Sequence, residues 1–443
     1  MGSYLLYFLS ALICIFFVYA AWVSLREKET RASRRFLSLA VALPLPLLAA
    51  AFLTENPLFP WGIATALVVV AAIFFMPRPF PPDKEHVVPR GRIDERDTMF
   101  SRDILEPGTS GYDAYYRRHP ERKKGDDAFR KNPGLLSPGA TFYDPFIFPA
   151  AQANFELIEG CRDFVDGPVA GERQQWDSKA LSRHLKDLAL KYGAVSAGIT
   201  PLEDYHLYSY RGRKHNYGEP VEWQHTHALA LTVEMDHDYV RNAPYAYCVL
   251  ESSRQYVRSG MLALWMARIL RDMGYHARAH IDGEYEVVCP LVARDAGLGE
   301  IGRMGLLMTP ELGPRVRIAV VTTSAPLVAD ERDEDPSVID FCTTCKKCAD
   351  VCPSRAIPFG DRRETGGVLR WQIDQQACFS YWTRTGTDCA RCMSACPYSH
   401  PNTPLHNLVR HGIRHSPEFR KLAVRMDDFA YGRKPRPLVK GRM

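Results

Sequence analysis

Two sets of cysteines towards the C-terminal end constrain this chain more than any other feature. Cys342, Cys345, Cys348 and Cys352, followed by Pro353, spell C-x2-C-x2-C-x3-C-P. Cys378, Cys389, Cys392 and Cys396, followed by Pro397, repeat the pattern with the first gap stretched to ten residues. In this spacing a tight loop offers three thiolates to a cubane iron-sulfur cluster, and the fourth thiolate, entering a helix, reaches a second cluster. The crossed arrangement assigns Cys342, Cys345, Cys348 and Cys396 to one 4Fe-4S cluster, and Cys378, Cys389, Cys392 and Cys352 to the other. Structural zinc also uses C-x2-C pairs, but it needs no such run. Of the twelve cysteines, Cys14, Cys161, Cys248 and Cys289 remain, and these are expected to be small buried hydrophobes.

The opposite end is apolar. A hydrophobic content of 46%, a mean hydropathy of -0.23 and a net charge of +5 over 443 residues describe an ordinary soluble protein only as averages. Residues 1–25, 36–53 and 56–76 contain no charged side chain at all. Tyr4 to Leu25 gives 22 such positions, enough at about 1.5 Å each to cross a hydrocarbon core of about 30 Å. Phe36 to Leu53 carries Pro44 and Pro46, which membrane helices tolerate as kinks. Pro57 to Met76 supplies a third run, so residues 1–76 read as three transmembrane helices, with two helices and a re-entrant segment as the alternative. A cleaved signal peptide fits less well, because a basic n-region is missing and the first run is too long for an h-region. Arg26, Lys28, Arg31, Arg34 and Arg35 lie between the first two runs, against Glu55 alone between the second and third. That asymmetry predicts a multi-pass protein of the cytoplasmic membrane, with everything beyond residue 76 facing the cytoplasm.

A proline-rich linker at 77–92 leads into a soluble part with mixed patterning, so the fold class is α+β. Ser178 opens a helical segment with Leu181, Leu185, Leu188 and Tyr192 on one face. Residues 250–273 carry the strongest helical pattern, with Met261, Leu262, Trp265, Ile269 and Met273 expected on the buried side and Gly274 as the C-cap. Strands are predicted at Ala194 to Ile199, Ala228 to Val233, Glu286 to Cys289, Gly305 to Met308 and Ile318 to Thr322. No basic stripe interleaved with aromatics marks a nucleic-acid partner. No G-x-G-x-x-G turn points to a nicotinamide or Rossmann-bound flavin.

One long stretch carries a family resemblance. Ala296-Gly297-Leu298-Gly299-Glu300, Gly302-Arg303, Thr309-Pro310-Glu311, Gly313-Pro314-Arg315-Val316-Arg317 and Pro326-Leu327 precede Phe341-Cys342. Together with Glu95 to Arg102, Pro107-Gly108-Thr109 and the tail Met426 to Gly432, this order resembles the corrinoid-dependent reductive dehalogenases over roughly residues 90 to 435. The resemblance implies a nitroreductase-like corrinoid-binding domain at 93–335, a ferredoxin-like two-cluster module at 336–410, and a C-terminal extension at 411–443 packing on the catalytic domain. It implies cobalamin without a histidine on cobalt. The nearest approach to D-x-H-x-x-G is Asp204, His206 and then Ser209 where glycine is required.

In that family a tyrosine opening the long helix delivers a proton and a basic residue supports it. The matching positions are Tyr256 and Arg317, with Tyr245 and Tyr247 as rivals. A nearby guanidinium is expected to favour the phenolate and make the hydroxyl a better acid. Asp282 lies in the turn where the family lines its pocket. The implied activity replaces halogen by hydrogen in an organohalide, with electrons from a quinol or a reduced protein. The three apolar runs stand where respiratory members carry a twin-arginine signal. A corrinoid reductase of a non-halogenated substrate, or an iron-sulfur electron-transfer subunit of a membrane complex, are the alternatives.

Overall fold

The strand His227–Glu234 buries every residue from Ala228 to Val233, the mark of a central strand covered on both faces. In this computed structural model, which describes residues 2–53, 56, 58–76, 89–213, 215–332 and 335–438, it is the second strand of a four-stranded antiparallel sheet. The spatial order is Ser196–Pro201, His227–Glu234, Val316–Thr323 and Ala277–His280. Pairings such as Leu229 with Val321 and Ala230 with Val320 set the register.

Alternation along these strands sorts the core into two layers. Leu229, Leu231, Ala319 and Val321 pack with Leu262, Met266 and Leu270 of the helix Ala246–Asp272 and with Leu181 and Leu185 of the helix Ser178–Lys191. Ala228, Ala230 and Val320 pack on the other face against Val292 and Ala293 of the helix Cys289–Asp295. Helix, sheet and helix therefore form three layers. Gly198 permits the close approach on the second face, since a Cβ there would lie 2.2 Å from the Ala296 carbonyl oxygen.

Several sequence expectations shift here. The long helix starts at Ala246, and its buried face runs through Leu262, Met266 and Leu270, whereas Met261 is 49% exposed. The expected stripe was rotated by about one position, because Trp265 and Ile269 sit at the edge of the contact. Met273 is the C-cap and Gly274 follows it at φ +85°, the left-handed residue that ends the helix. The helix beginning at Ser178 is capped by Asp177, whose carboxylate accepts from the Ala180 N–H at 2.8 Å. Glu286 to Cys289 is no strand, since Cys289 opens a helix with Pro290 in its first turn. The edge strand Ala277–His280 carried no pattern that distinguished it, because all four of its residues are buried.

The described residues group into two compact units. The sheet belongs to the one built from Asp83–Asp335 and Cys348–Ser399; the other takes residues from Met1–Pro82, Pro336–Lys347 and His400–Leu438. The module expected at 336–410 is thus divided between them. In the second unit the apolar helices Gly2–Arg26 and Thr30–Ala42 pack with Pro404–His415 and Pro417–Ala430, through Ala21, Phe36, Leu405 and Ala430. That seam was not expected, since the C-terminal extension was assigned to the catalytic domain.

Two stretches, Ser3–Arg26 and Thr30–Leu53, are long and apolar enough to cross a membrane. The third, Phe59–Phe75, has 17 residues and is shorter than expected. Thr54, Glu55, Pro57 and the linker residues 77–88 lie outside the described residues. Arg31, Arg34 and Arg35 stand inside the second helix, and the turn before it is only Glu27 to Glu29. Lys28 makes this reversal at φ +59°, and the Glu29 N–H donates to the Ser24 carbonyl at 2.8 Å.

A chain of ionisable groups is buried in this helical unit. Lys347 pairs with Asp427, Asp427 Oδ1 lies 2.9 Å from His400 Nε2, the His400 ring stacks on His406 at 4.6 Å, and His406 Nε2 lies 2.9 Å from Glu27 Oε1. Burial holds His406 down at about 4, so it is neutral at ordinary pH.

Candidate active site

Cys248, Ser252 and Tyr256 are four residues apart on the long helix and therefore share a face. Opposite them stands Arg317, the second residue of the strand Val316–Thr323. Its guanidinium carbon lies 5.0 Å from the centre of the Tyr256 ring, and its Nη2 donates to Ser252 Oγ at 2.6 Å. Asp388 closes the group: its Oδ2 lies 3.3 Å from Arg317 Nη2 and accepts from Ser252, and its Oδ1 accepts from the Cys248 thiol at 3.3 Å. Tyr256 is in the third turn of its helix and does not open it, because the helix begins ten residues earlier.

Asp388 directly precedes Cys389, and Cys389 and Ala390 are both left-handed, at φ +61° and +49°. Two successive non-glycine residues in that region mark a tight, strained turn. It brings Cys389 to a cavity of about 370 Å³ also lined by Cys352, Cys378, Cys392, Arg317 and Asp388. The remaining cysteines of the two motifs divide between the units: Cys342 and Cys345 on the helix Pro336–Cys345, Cys348 and Cys396 in the sheet-bearing unit. None of the twelve cysteines forms a disulfide. Burial pushes the Cys378 thiol up to about 11 and those of Cys345 and Cys389 up to about 12.

Electrostatics at Tyr256 differ from the expectation. Burial pushes its hydroxyl up to about 12, and the opposing pull of Arg317 does not cancel it, since Asp282 and Asp388 add to the rise. The phenol is firmly protonated at neutral pH. Among the described residues no hydrogen bond reaches that hydroxyl, and Phe155 meets the ring at 5.9 Å. Burial also raises the Asp282 carboxyl, against the pull of Arg213 and Arg317. Asp282 is thus within electrostatic reach of both, in the turn that Gly283 completes at φ +78°. Of the rivals, Tyr245 packs on Phe142 at 5.1 Å and Tyr247 on Tyr239 at 5.7 Å.

His206 is fully buried and both ring nitrogens are engaged: Nδ1 lies 3.1 Å from the Glu203 N–H nitrogen and Nε2 lies 2.9 Å from Asp295 Oδ2. Ser252, Cys248 and Asp388 were missed in the sequence. Their signals were the four-residue spacing on one helix and an acid immediately before a motif cysteine.

Residues 341–400 match the family described as a 4Fe-4S dicluster domain. A tetrachloroethene reductive dehalogenase of Sulfurospirillum multivorans is 37% identical over 214 residues, which is 46% of this chain and 42% of that protein. A solved reductive dehalogenase structure concerned with B12-dependent dehalogenation aligns with a TM-score of 0.61 at 27% identity, over 71% of this chain and 47% of the other. The catabolic reductive dehalogenase NpRdhA shares the fold, with a TM-score of 0.64 at 24% identity over 82% of this chain and 50% of the other. The chain therefore spans about half the length of the proteins it matches. In sequence over about half its length, and in fold, this chain is similar to reductive dehalogenases.

Proposed function

We propose that this protein is a membrane-anchored reductive dehalogenase using cobalamin and two 4Fe-4S clusters to replace halogen by hydrogen in an organohalide. The observation that carries the reading is a single cavity lined by Cys352, Cys378, Cys389 and Cys392 together with Arg317, whose guanidinium covers the Tyr256 ring. Four thiols around one space are the donor set of a cubane cluster. Cys342, Cys345, Cys348 and Cys396 are proposed to hold the second. The raised thiols lose protons on ligation, so cluster assembly releases acid.

The residues also fit a corrin-bound substrate. Arg317 Nε is buried with no hydrogen-bond partner among the described residues. His206 is committed to Asp295 and the Glu203 backbone, in keeping with a cobalt that takes no histidine from this chain. When bound, the corrinoid supplies the redox-active cobalt at which a carbon-halogen bond is reduced, and the clusters supply electrons one at a time. Tyr256 holds the proton that ends on carbon. Arg317 faces the phenolate left behind, and its fixed charge offsets the cost of that anion in a buried place. Asp282, whose carboxyl is raised by burial against the pull of Arg213 and Arg317, is a polar group on the substrate side. The overall change consumes two electrons and one proton and releases halide.

The apolar helices at 3–26, 30–53 and 59–75 are proposed to span the membrane, the third at the lower end of the usual range of about 17–25 residues. Arg26, Lys28, Arg31, Arg34 and Arg35, around the first turn, favour the cytoplasmic side for that turn and for everything beyond residue 76. A quinol or a reduced protein supplies the electrons. A reporter fused after Met443 is expected to be active inside the cytoplasm, and activity outside alone would reverse the topology. The test of function is anaerobic reconstitution with cobalamin, iron and sulfide, followed by halide release from chlorinated alkenes and halogenated phenols. Halide release is expected; a corrinoid-loaded protein that releases none across the panel overturns the substrate class.

A further inference from the structure

Arginine is long and flexible, and a guanidinium that must lie flat over one ring has to be held there by something else. In this protein the hold comes from a residue outside both the tyrosine-arginine pair and the cysteine set. Asp388 Oδ2 lies 3.3 Å from Arg317 Nη2, and the same Nη2 donates to Ser252 Oγ at 2.6 Å. Ser252 in turn donates to Asp388, closing a three-membered ring of contacts. The other carboxylate oxygen accepts from Cys248 at 3.3 Å. Cys248 and Ser252 are both buried, and they fix the carboxylate from the helix that carries Tyr256. The Asp388 backbone carbonyl accepts from the Ala390 N–H at 2.7 Å across the left-handed Cys389.

We propose that Asp388 is a positioning residue for the proton-donating pair. Its carboxylate, oriented by Cys248 and Ser252, pins the Arg317 guanidinium against the Tyr256 ring, and its place before Cys389 ties that geometry to the cysteine-lined cavity. This rests on the proposed dehalogenation only for its activity arm. Of the four residues, Asp388 and Arg317 line the cavity with the thiols, so their opposite charges also act on any cluster seated there. A negative charge beside a cluster disfavours its reduction, and a positive one favours it.

The experiment is a double-mutant cycle on the reconstituted full chain with Asp388→Asn and Arg317→Ala, reading halide release at saturating and limiting substrate and the cluster midpoint potentials. Alone, Asp388→Asn is expected to lower kcat about tenfold with KM within twofold, and Asp388→Glu to restore part of the loss. In the Arg317→Ala background the further loss is expected to stay below twofold, because the residue acts through the arginine. Additive losses in the two backgrounds overturn the proposal. So does loss of cluster iron in Asp388→Asn that Asp388→Glu does not restore, which would make the residue part of the cluster loop alone. The potential arm needs no turnover: Asp388→Asn should raise one cluster potential, Arg317→Ala should lower the same one, and the double variant should return towards the parent. Unmoved potentials in both single variants overturn the placement of the pair beside the cluster. A parent protein that releases no halide defeats the proposed function, while the potentials still decide the pairing.

Discussion

The two compact units set their ionisable groups in different surroundings. In the helical unit, Glu27, His406, His400, Asp427 and Lys347 run through a packed interior and meet one another. In the sheet-bearing unit, Tyr256 and Arg317 are part-exposed, Arg317 and Asp388 line a cavity, and Arg317 Nε is engaged by no described residue. Polar groups that satisfy each other stabilise or specify packing, whereas polar groups aimed into a space are arranged for something that enters it. The apolar surface differs as well. Phe8, Ile15, Phe52 and Val68 of the helical unit are 45% exposed or more, while the sheet of the other unit is covered on both faces. Among the described residues the helical unit thus leaves apolar faces uncovered, which is what the proposed membrane anchor needs.

The comparison can be broken most decisively at the cysteines. Cys392→Ser is expected to remove one cluster, halve the bound iron, and take turnover below detection; iron analysis and the visible absorption spectrum measure this. Retention of both clusters would remove Cys392 from the ligand set. Next in size, Tyr256→Phe should lower turnover by about 10²- to 10⁴-fold, the usual worth of a general acid, with cluster content and melting temperature unchanged. Retained turnover would end the role of Tyr256 and direct attention to Tyr245 or Tyr247. A smaller effect tests the core: Leu270→Ala should destabilise by about 2–5 kcal/mol and Met261→Ala by about 0.5 kcal/mol or less, read by thermal melting. Equal losses would mean that the helix is rotated.

The gentlest test uses acid. The folded state holds His406 at about 4, below its ordinary 6.5, so the unfolded chain takes up this proton first. The contribution is complete above the unfolded value and is lost as pH falls from 6.5 towards 4, at up to about 1.4 kcal/mol per pH unit. His225 in the sheet-bearing unit is also held at about 4 by burial, so both units should loosen. His406→Gln is expected to flatten the acid slope of the melting temperature and leave turnover with a soluble reductant within about twofold. An unchanged slope would show that His406 titrates normally.

Much of this was legible in the chain itself. The cysteine spacing is a local property, since C-x2-C-x2-C-x3-C-P is complete within the short segment from Cys342 to Pro353. The strands at 196–201, 227–234 and 316–323 were readable because their burial leaves continuous apolar runs. The edge strand Ala277–His280 was not, because Arg278 and His280 look exposed in sequence and are buried by Glu284 and Thr322. The packing of the C-terminal helices on the apolar N-terminal ones was not readable, because an amphipathic face states that it is buried and does not name its partner. Tyr256 and Arg317 entered through resemblance, and Asp388 was invisible because its three partners lie 71 or more residues away in the chain.

The sequence by itself determined the cysteine spacing, the apolar end and the mixed class, all of which depend on composition and spacing within single segments. Only the tertiary structure decided which thiols line one cavity, which way the long helix faces, and that Arg317 is held between Asp388 and the Tyr256 ring. Those depend on side-chain atoms meeting at 3 to 5 Å from segments far apart in the chain, a distance that close packing sets and no local pattern encodes.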